Sequence, residues 1–162
     1  MAPSSSFRIW PLVGFLVVTF AAAAVGSVAT AENVKSWYPG LTKPSWTPPG
    51  WLFAPVWTAL YIGMAVAAWR VWRRLTGSAA FGVLRLYGTQ LMLNALWSVL
   101  FFGMRRPDLA LVNIVGLWLL LVLALVIFWR VDRIAGALWA PYVAWVSFAT
   151  ALNAAIWNLN RG

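Results

Sequence analysis

Any chemistry on this chain has to come from aromatic rings and neutral amides, because the usual catalytic side chains are missing. The 162 residues include 13 Trp, 9 Phe and 4 Tyr but no His and no Cys. There is therefore no imidazole base, no usual zinc or haem ligand, no thiolate and no disulfide. The three acids, Glu32, Asp108 and Asp132, fall in separate connecting segments. No acid/base dyad is legible, and no metal centre is expected. What remains is a set of stripes. Trp57, Tyr61 and Met64 recur at i, i+4 and i+7, and Gln90, Asn94, Trp97 and Phe101 at i, i+4, i+7 and i+11, which is the spacing of one helix face. Trp145, Ala149 and Asn153 form a third set. Large flat π surfaces beside a few inward amides suit a flat conjugated ring, with Lys35 or Lys43 placed to meet its carboxylates at the mouth. The alternative is that Trp, Asn and Gln only join helices, since an interhelical amide bond stabilises by about 0.6 kcal/mol. Spacing alone leaves both readings open.

The elements that position these residues follow from composition. The chain is 63% hydrophobic and 9% charged, with a mean hydropathy of +0.81. Soluble domains carry roughly a quarter charged residues, so a soluble enzyme is excluded. The net charge of +9 is scattered singly or in pairs between apolar runs, as in membrane loops, and nucleic acid is not expected as a partner. About 20 apolar residues span a bilayer as a helix. Five such runs occur, at about Ile9–Ala31, Trp51–Trp72, Phe81–Phe102, Leu109–Trp129 and Ile134–Trp157. They lack two-residue alternation, so the expected fold is an all-α integral membrane protein, a single domain of five transmembrane helices. Arg8 and Ala29-Thr30-Ala31 resemble a secretory signal, but the apolar run is long for one and is read as a retained helix. Counting Lys and Arg on alternate sides favours a cytoplasmic N-terminus, with Arg8, Arg70, Arg73, Arg74, Arg85, Arg130 and Arg133 facing Lys35, Lys43, Arg105, Arg106 and Arg161.

At 1.5 Å per residue, Trp57 lies about 9 Å below the first-loop end of its helix. Trp97 and Asn94 lie about 8 and 12 Å below the same face, and Asn153 and Ala149 about 6 and 12 Å. One layer is predicted, with Trp145 deeper, and with Gln90, Asn94 and Asn153 turned inward because an amide facing lipid lacks partners. Ala59-Gly63-Ala67 and Ala22-Gly26 have the small-xxx-small spacing that lets helices approach. Pro55 and Pro141 are expected to kink or start helices. Only the first loop, about Glu32–Gly50, is long. Pro44, Pro48 and Pro49 make it extended or turned rather than helical, with Pro48-Pro49 presenting the second helix. Its Trp37, Trp46 and Trp51 read either as interfacial anchors or as part of a lid over the bundle.

The loop and the stripes together carry a resemblance. Trp37-Tyr38, Lys43-Pro44-Ser45-Trp46-Thr47-Pro48-Pro49, Ala54-Pro55-Val56-Trp57-Thr58-Ala59-Leu60-Tyr61, Gln90-Leu91-Met92-Leu93-Asn94-Ala95-Leu96-Trp97, Phe101-Phe102-Gly103, Pro141-Tyr142-Val143-Ala144-Trp145 and Phe148-Ala149-Thr150-Ala151-Leu152-Asn153 occur in order over nearly the whole chain. This pattern resembles the tryptophan-rich sensory protein/translocator protein (TspO/MBR) family. The resemblance implies five transmembrane helices, homodimers, and binding of porphyrins such as protoporphyrin IX, of haem, of sterols and of benzodiazepine-site compounds. It implies a membrane receptor or translocator that transports, senses or regulates porphyrin, which would be a ligand rather than a resident cofactor.

Positions matching the family's ligand-binding residues are Trp37, Trp57, Asn94, Trp97, Trp145 and Ala149, to which the stripes add Tyr61 and Gln90. Some family members are reported to degrade protoporphyrin IX in light, and Trp57 and Trp145 match the Trp pair implicated there. A third reading is a structural partner of another membrane protein. Two departures stand out. Pro39 replaces an Asp that many members carry after the loop Trp-Tyr. Asn153–Arg161 lacks the Tyr of the sterol-recognition pattern of animal members, so specific cholesterol binding is not expected and a bacterial cell-membrane protein is implied.

Overall fold

The computed structural model describes residues 9–161, so Arg8 lies outside the described residues. Six α-helices are present among them and no strand: α1 Trp10–Ala31, α2 Asn33–Ser36, α3 Phe53–Trp72, α4 Gly77–Ser98, α5 Pro107–Val131 and α6 Arg133–Asn160. The five long helices form a closed ring in the order α1–α3–α6–α5–α4, each packed on its neighbours and α4 returning to α1.

Four segments are long and apolar enough to cross a bilayer: α1, Gly50–Trp72 with α3, α5 and α6. The expected count was five. α4 has the length, 22 residues, but Arg85, Gln90, Asn94 and several Gly, Ser and Thr lower its hydropathy. Gln90 and Asn94 sit buried inside the ring, where protein rather than lipid supplies their partners.

Local rules explain the helix ends. Pro11 and Pro107 stand in the first turns of α1 and α5, where a missing N–H is harmless. Pro55 is likewise in the first turn of α3, whereas Pro141 lies within α6. Asp132 caps α6 by accepting from the backbone N–H groups of Ile134 and Ala135 at 2.9 and 3.2 Å. The same carboxylate binds Arg70 at 2.9 Å and Arg74 at 3.1 Å, tying the α5–α6 turn to the end of α3. Burial raises its pKa, but the two N–H groups and the Arg70 guanidinium outweigh that and hold it below the ordinary carboxylate value.

Small residues set the close approaches, though not over the full predicted stripes. A Cβ on Gly63 would lie 3.4 Å from the Leu138 carbonyl oxygen of α6, and one on Gly26 would lie 3.1 Å from Ser98 Oγ of α4. Ala67 is buried, whereas Ala59 is exposed.

The first loop contains more structure than its prolines suggested. α2 occupies its start, and Tyr38–Gly40 and Gly50–Leu52 form single 3-10 turns. Pro39 falls within the first of these, where its fixed φ suits the turn. Leu41 and Pro49 are extended, as expected, and Pro49 leads into the turn before α3.

Candidate functional site

The three stripes converge near the first-loop end of the ring. Trp57 of α3, Asn94 and Trp97 of α4, and Val146 and Ala149 of α6 surround a small cavity, closed on its remaining side by Ile114 and Leu117 of α5. The layer predicted from helical rise therefore contains Trp57, Asn94, Trp97 and Ala149 together. Its cavity holds only about 10 Å3, room for a single water-sized centre.

The inward amides are satisfied by the protein itself. Tyr61 Oη donates to Asn94 Oδ1 at 3.1 Å, Asn94 Nδ2 donates to Tyr142 Oη at 2.9 Å, and Tyr142 Oη donates to Gln90 Oε1 at 2.9 Å. Gln90 Nε2 completes the chain on Met64 Sδ at 3.7 Å. On the other side of the cavity, Trp97 Nε1 donates to Asn153 Oδ1 at 2.9 Å, and Asn153 Nδ2 donates to the Pro107 carbonyl at 2.8 Å. Buried polar groups need such partners, and here they link α3, α4, α5 and α6 around one layer.

Aromatic contacts line the same region. Trp57 stacks on Tyr61 at 5.4 Å and meets Tyr142 edge-on at 6.2 Å, while Trp97 stacks on Phe101 at 5.1 Å. Trp37 of the first loop lies edge-on to Phe101 at 5.8 Å, so it reaches the cavity wall through that ring. Trp145 packs against Phe53 and Phe148 at 5.8 and 5.5 Å. Its Nε1 is buried without a hydrogen-bond partner.

The loop lies along α6. Thr42 pairs with Asn160, Trp46 meets Phe148, and Phe53 meets Trp145, so contacts descend α6 in order. Trp145 is thereby level with the first residue of α3, shallower than a count from its own helix end implies, because α6 continues up to Asn160 beside the loop. Lys43 is not free at the mouth. Its Nζ donates to the carbonyls of Tyr38 and Leu41 at 2.8 and 2.9 Å and stands 4.8 Å from the Tyr38 ring centroid. Lys35 is exposed on α2.

Sequence reasoning missed Tyr142, the completely buried hub of the amide chain. It also missed the α5 wall of Ile114 and Leu117. Tyr142 lies seven residues before Ala149 on one helix face, a signal that could have found it. On α5 the comparable mark is Asn113, next to Ile114, whose Nδ2 donates to the Leu93 carbonyl of α4 at 2.9 Å.

Apolar spanning helices, inward amides and an aromatic layer beneath a draped loop define an integral multi-pass membrane protein with an internal aromatic site. The TspO/MBR family pattern matches residues 15–158. Among relatives, the tryptophan-rich protein TspO of Chlorobaculum tepidum is 46% identical over 139 residues, covering 83% of this chain and 86% of its own. Protein CrtK of Rhodobacter capsulatus is 39% identical over 91% of this chain and 93% of its own, and the translocator protein of Sus scrofa 39% identical over 94% and 91%. The chain belongs to the TspO/MBR family.

Proposed function

We propose that this protein binds a tetrapyrrole, protoporphyrin IX or haem, in the layer around Trp57, Asn94, Trp97 and Ala149, and serves as a receptor or translocator for it. The observation that carries this reading is the convergence of two stacked ring pairs, Trp57–Tyr61 and Trp97–Phe101, on one apolar cavity. Beyond the lining, beside Val146, the unpaired Trp145 N–H offers a donor to the acceptor of a ligand that enlarges the cavity. Pockets for ligands of this size are roughly 300–1,000 Å3, so the 10 Å3 cavity has to open. The movable cover is the loop whose rings sit on Phe101 and Phe148, together with Phe53 at the start of α3, which sits on Trp145. Binding is therefore coupled to lifting residues 37–53, and a ligand carboxylate near Lys43 competes with the carbonyls that this lysine now holds.

The test is a titration of detergent-purified protein with protoporphyrin IX in the dark, following Trp fluorescence, with Trp57→Phe and Trp145→Phe alongside. Saturable quenching at micromolar ligand that both substitutions weaken supports the site, and absence of saturation overturns it. An illuminated sample tests a second reading, light-dependent porphyrin degradation. That reading is favoured by Trp57 lying at the cavity, where it could give an electron to a bound excited ring without any acid or base. Bleaching in wild type that Trp57→Phe abolishes supports it. We place the protein as a homodimer in a bacterial cell membrane, which sedimentation in detergent and membrane fractionation check.

A further inference from the structure

The end of the ring away from the ligand layer carries a second, larger cavity, of about 550 Å3. It lies between the start of α1, the end of α3 and the start of α4. Pro11, Trp72, Leu75 and Ala80 give it an apolar wall, and Arg73 and Thr76 a polar rim. An apolar wall with a cationic rim at the end of spanning helices matches the chemistry of a lipid headgroup and its glycerol shoulder.

Charge at this end favours an anion. Arg70, Arg73, Arg74, Arg85, Arg130 and Arg133 lie on it among the described residues, against Asp132 alone. Asp132 is buried and occupied by Arg70, Arg74 and two backbone N–H groups, so it repels nothing outside. Arg73 makes no ion pair with it. Its guanidinium is exposed and rests 4.4 Å from the Trp69 ring centroid, a contact that leaves the planar N–H edge open to an oxyanion.

We propose that this cavity is a binding site for the phosphate headgroup of an anionic phospholipid, with Arg73 as its principal cation and Trp72 against the glycerol region. The site is separate from the tetrapyrrole layer and does not depend on it. A free inorganic phosphate presents the same oxyanion but has nothing to place against Pro11, Trp72 and Leu75, which is why the lipid is the assigned source.

Vesicles of brominated phosphatidylglycerol or brominated phosphatidylcholine, mixed with unlabelled phosphatidylcholine, report lipid contact by quenching Trp fluorescence. Trp72→Phe locates the signal. The expected result is preferential quenching by phosphatidylglycerol that Trp72→Phe diminishes and Arg73→Gln weakens by about fivefold, the effect of one basic residue at an anionic surface. Arg130→Gln, at the same end but outside the cavity, retains the preference. Far-UV circular dichroism confirms that each variant is folded. Equal loss in Arg73→Gln and Arg130→Gln, or no headgroup preference, overturns the site. Displacement of phosphatidylglycerol by millimolar inorganic phosphate at constant ionic strength, in wild type and Arg130→Gln alike, overturns the lipid assignment.

Discussion

At Tyr142 three interior polar groups meet, since its hydroxyl accepts from Asn94 and donates to Gln90 while α6 holds the ring beside Trp57. Tyr142→Phe leaves a buried amide donor and a buried carbonyl without that partner, which costs about 1–3 kcal/mol. Thermal unfolding in detergent should show a clear loss, larger than that for the half-buried Tyr61→Phe. Trp139 and Trp145 on the same helix are a sharper contrast. Trp139 Nε1 donates to the Leu121 carbonyl at 3.1 Å and its side chain is completely buried, whereas Trp145 Nε1 has no partner to lose. Trp139→Phe is therefore expected to lower the melting temperature more than Trp145→Phe, and the reverse order would mean that the Trp145 donor is satisfied in the free protein. That Gln90, Asn94 and Asn153 face inward was legible from hydropathy, because lipid offers an amide nothing. Which groups they bond was not, because those partners come from helices up to 56 positions away in sequence.

Among the elements, the α5–α6 turn depends on one carboxylate that both caps a helix and pairs with α3. Asp132→Ala removes a cap that contributes about 1 kcal/mol and a charged hydrogen bond to Arg70 that adds about 1.5–3 kcal/mol. Chemical denaturation should register a loss of about 2 kcal/mol or more. The pH dependence has a defined sign. A carboxyl with a depressed folded-state pKa stabilises above its unfolded value, near 4, and that contribution disappears as pH falls through the lower folded value. Wild type should therefore lose stability below about pH 4 more steeply than Asp132→Ala, as melting curves across pH would show. The acid was visible in sequence as a loop residue between two apolar runs. Its partners were not, since Arg70 and Arg74 lie about 60 positions earlier. The expected fifth span is the other lesson at this scale. α4 has the length of its neighbours but not their hydropathy, because the residues that serve the interior are the polar ones.

For the whole molecule, the first loop lies over the aromatic layer, held by ring contacts and by one amide pair. Asn160 holds Thr42 from both sides, with Nδ2 on its carbonyl at 2.8 Å and Oδ1 on its N–H at 3.0 Å. Asn160→Ala removes both bonds, each contributing about 0.5–1.5 kcal/mol net. Hydrogen exchange in residues 38–52 should quicken while exchange in α5 stays unchanged, and an unaltered loop would mean that its rings alone hold it down. The amino-acid sequence determined the helical class, the apolar spans and the inward faces of three helices, because hydropathy and a 3.6-residue period are local properties. It also carried the family pattern, which is written in contiguous blocks. Only the tertiary structure decided that the helices close in the order α1–α3–α6–α5–α4, that Tyr142 joins the amides, that Lys43 folds back on its own loop and that the cavity beneath is nearly closed. These are outcomes of packing between segments distant in the chain, where each contact depends on where every other helix has already been placed.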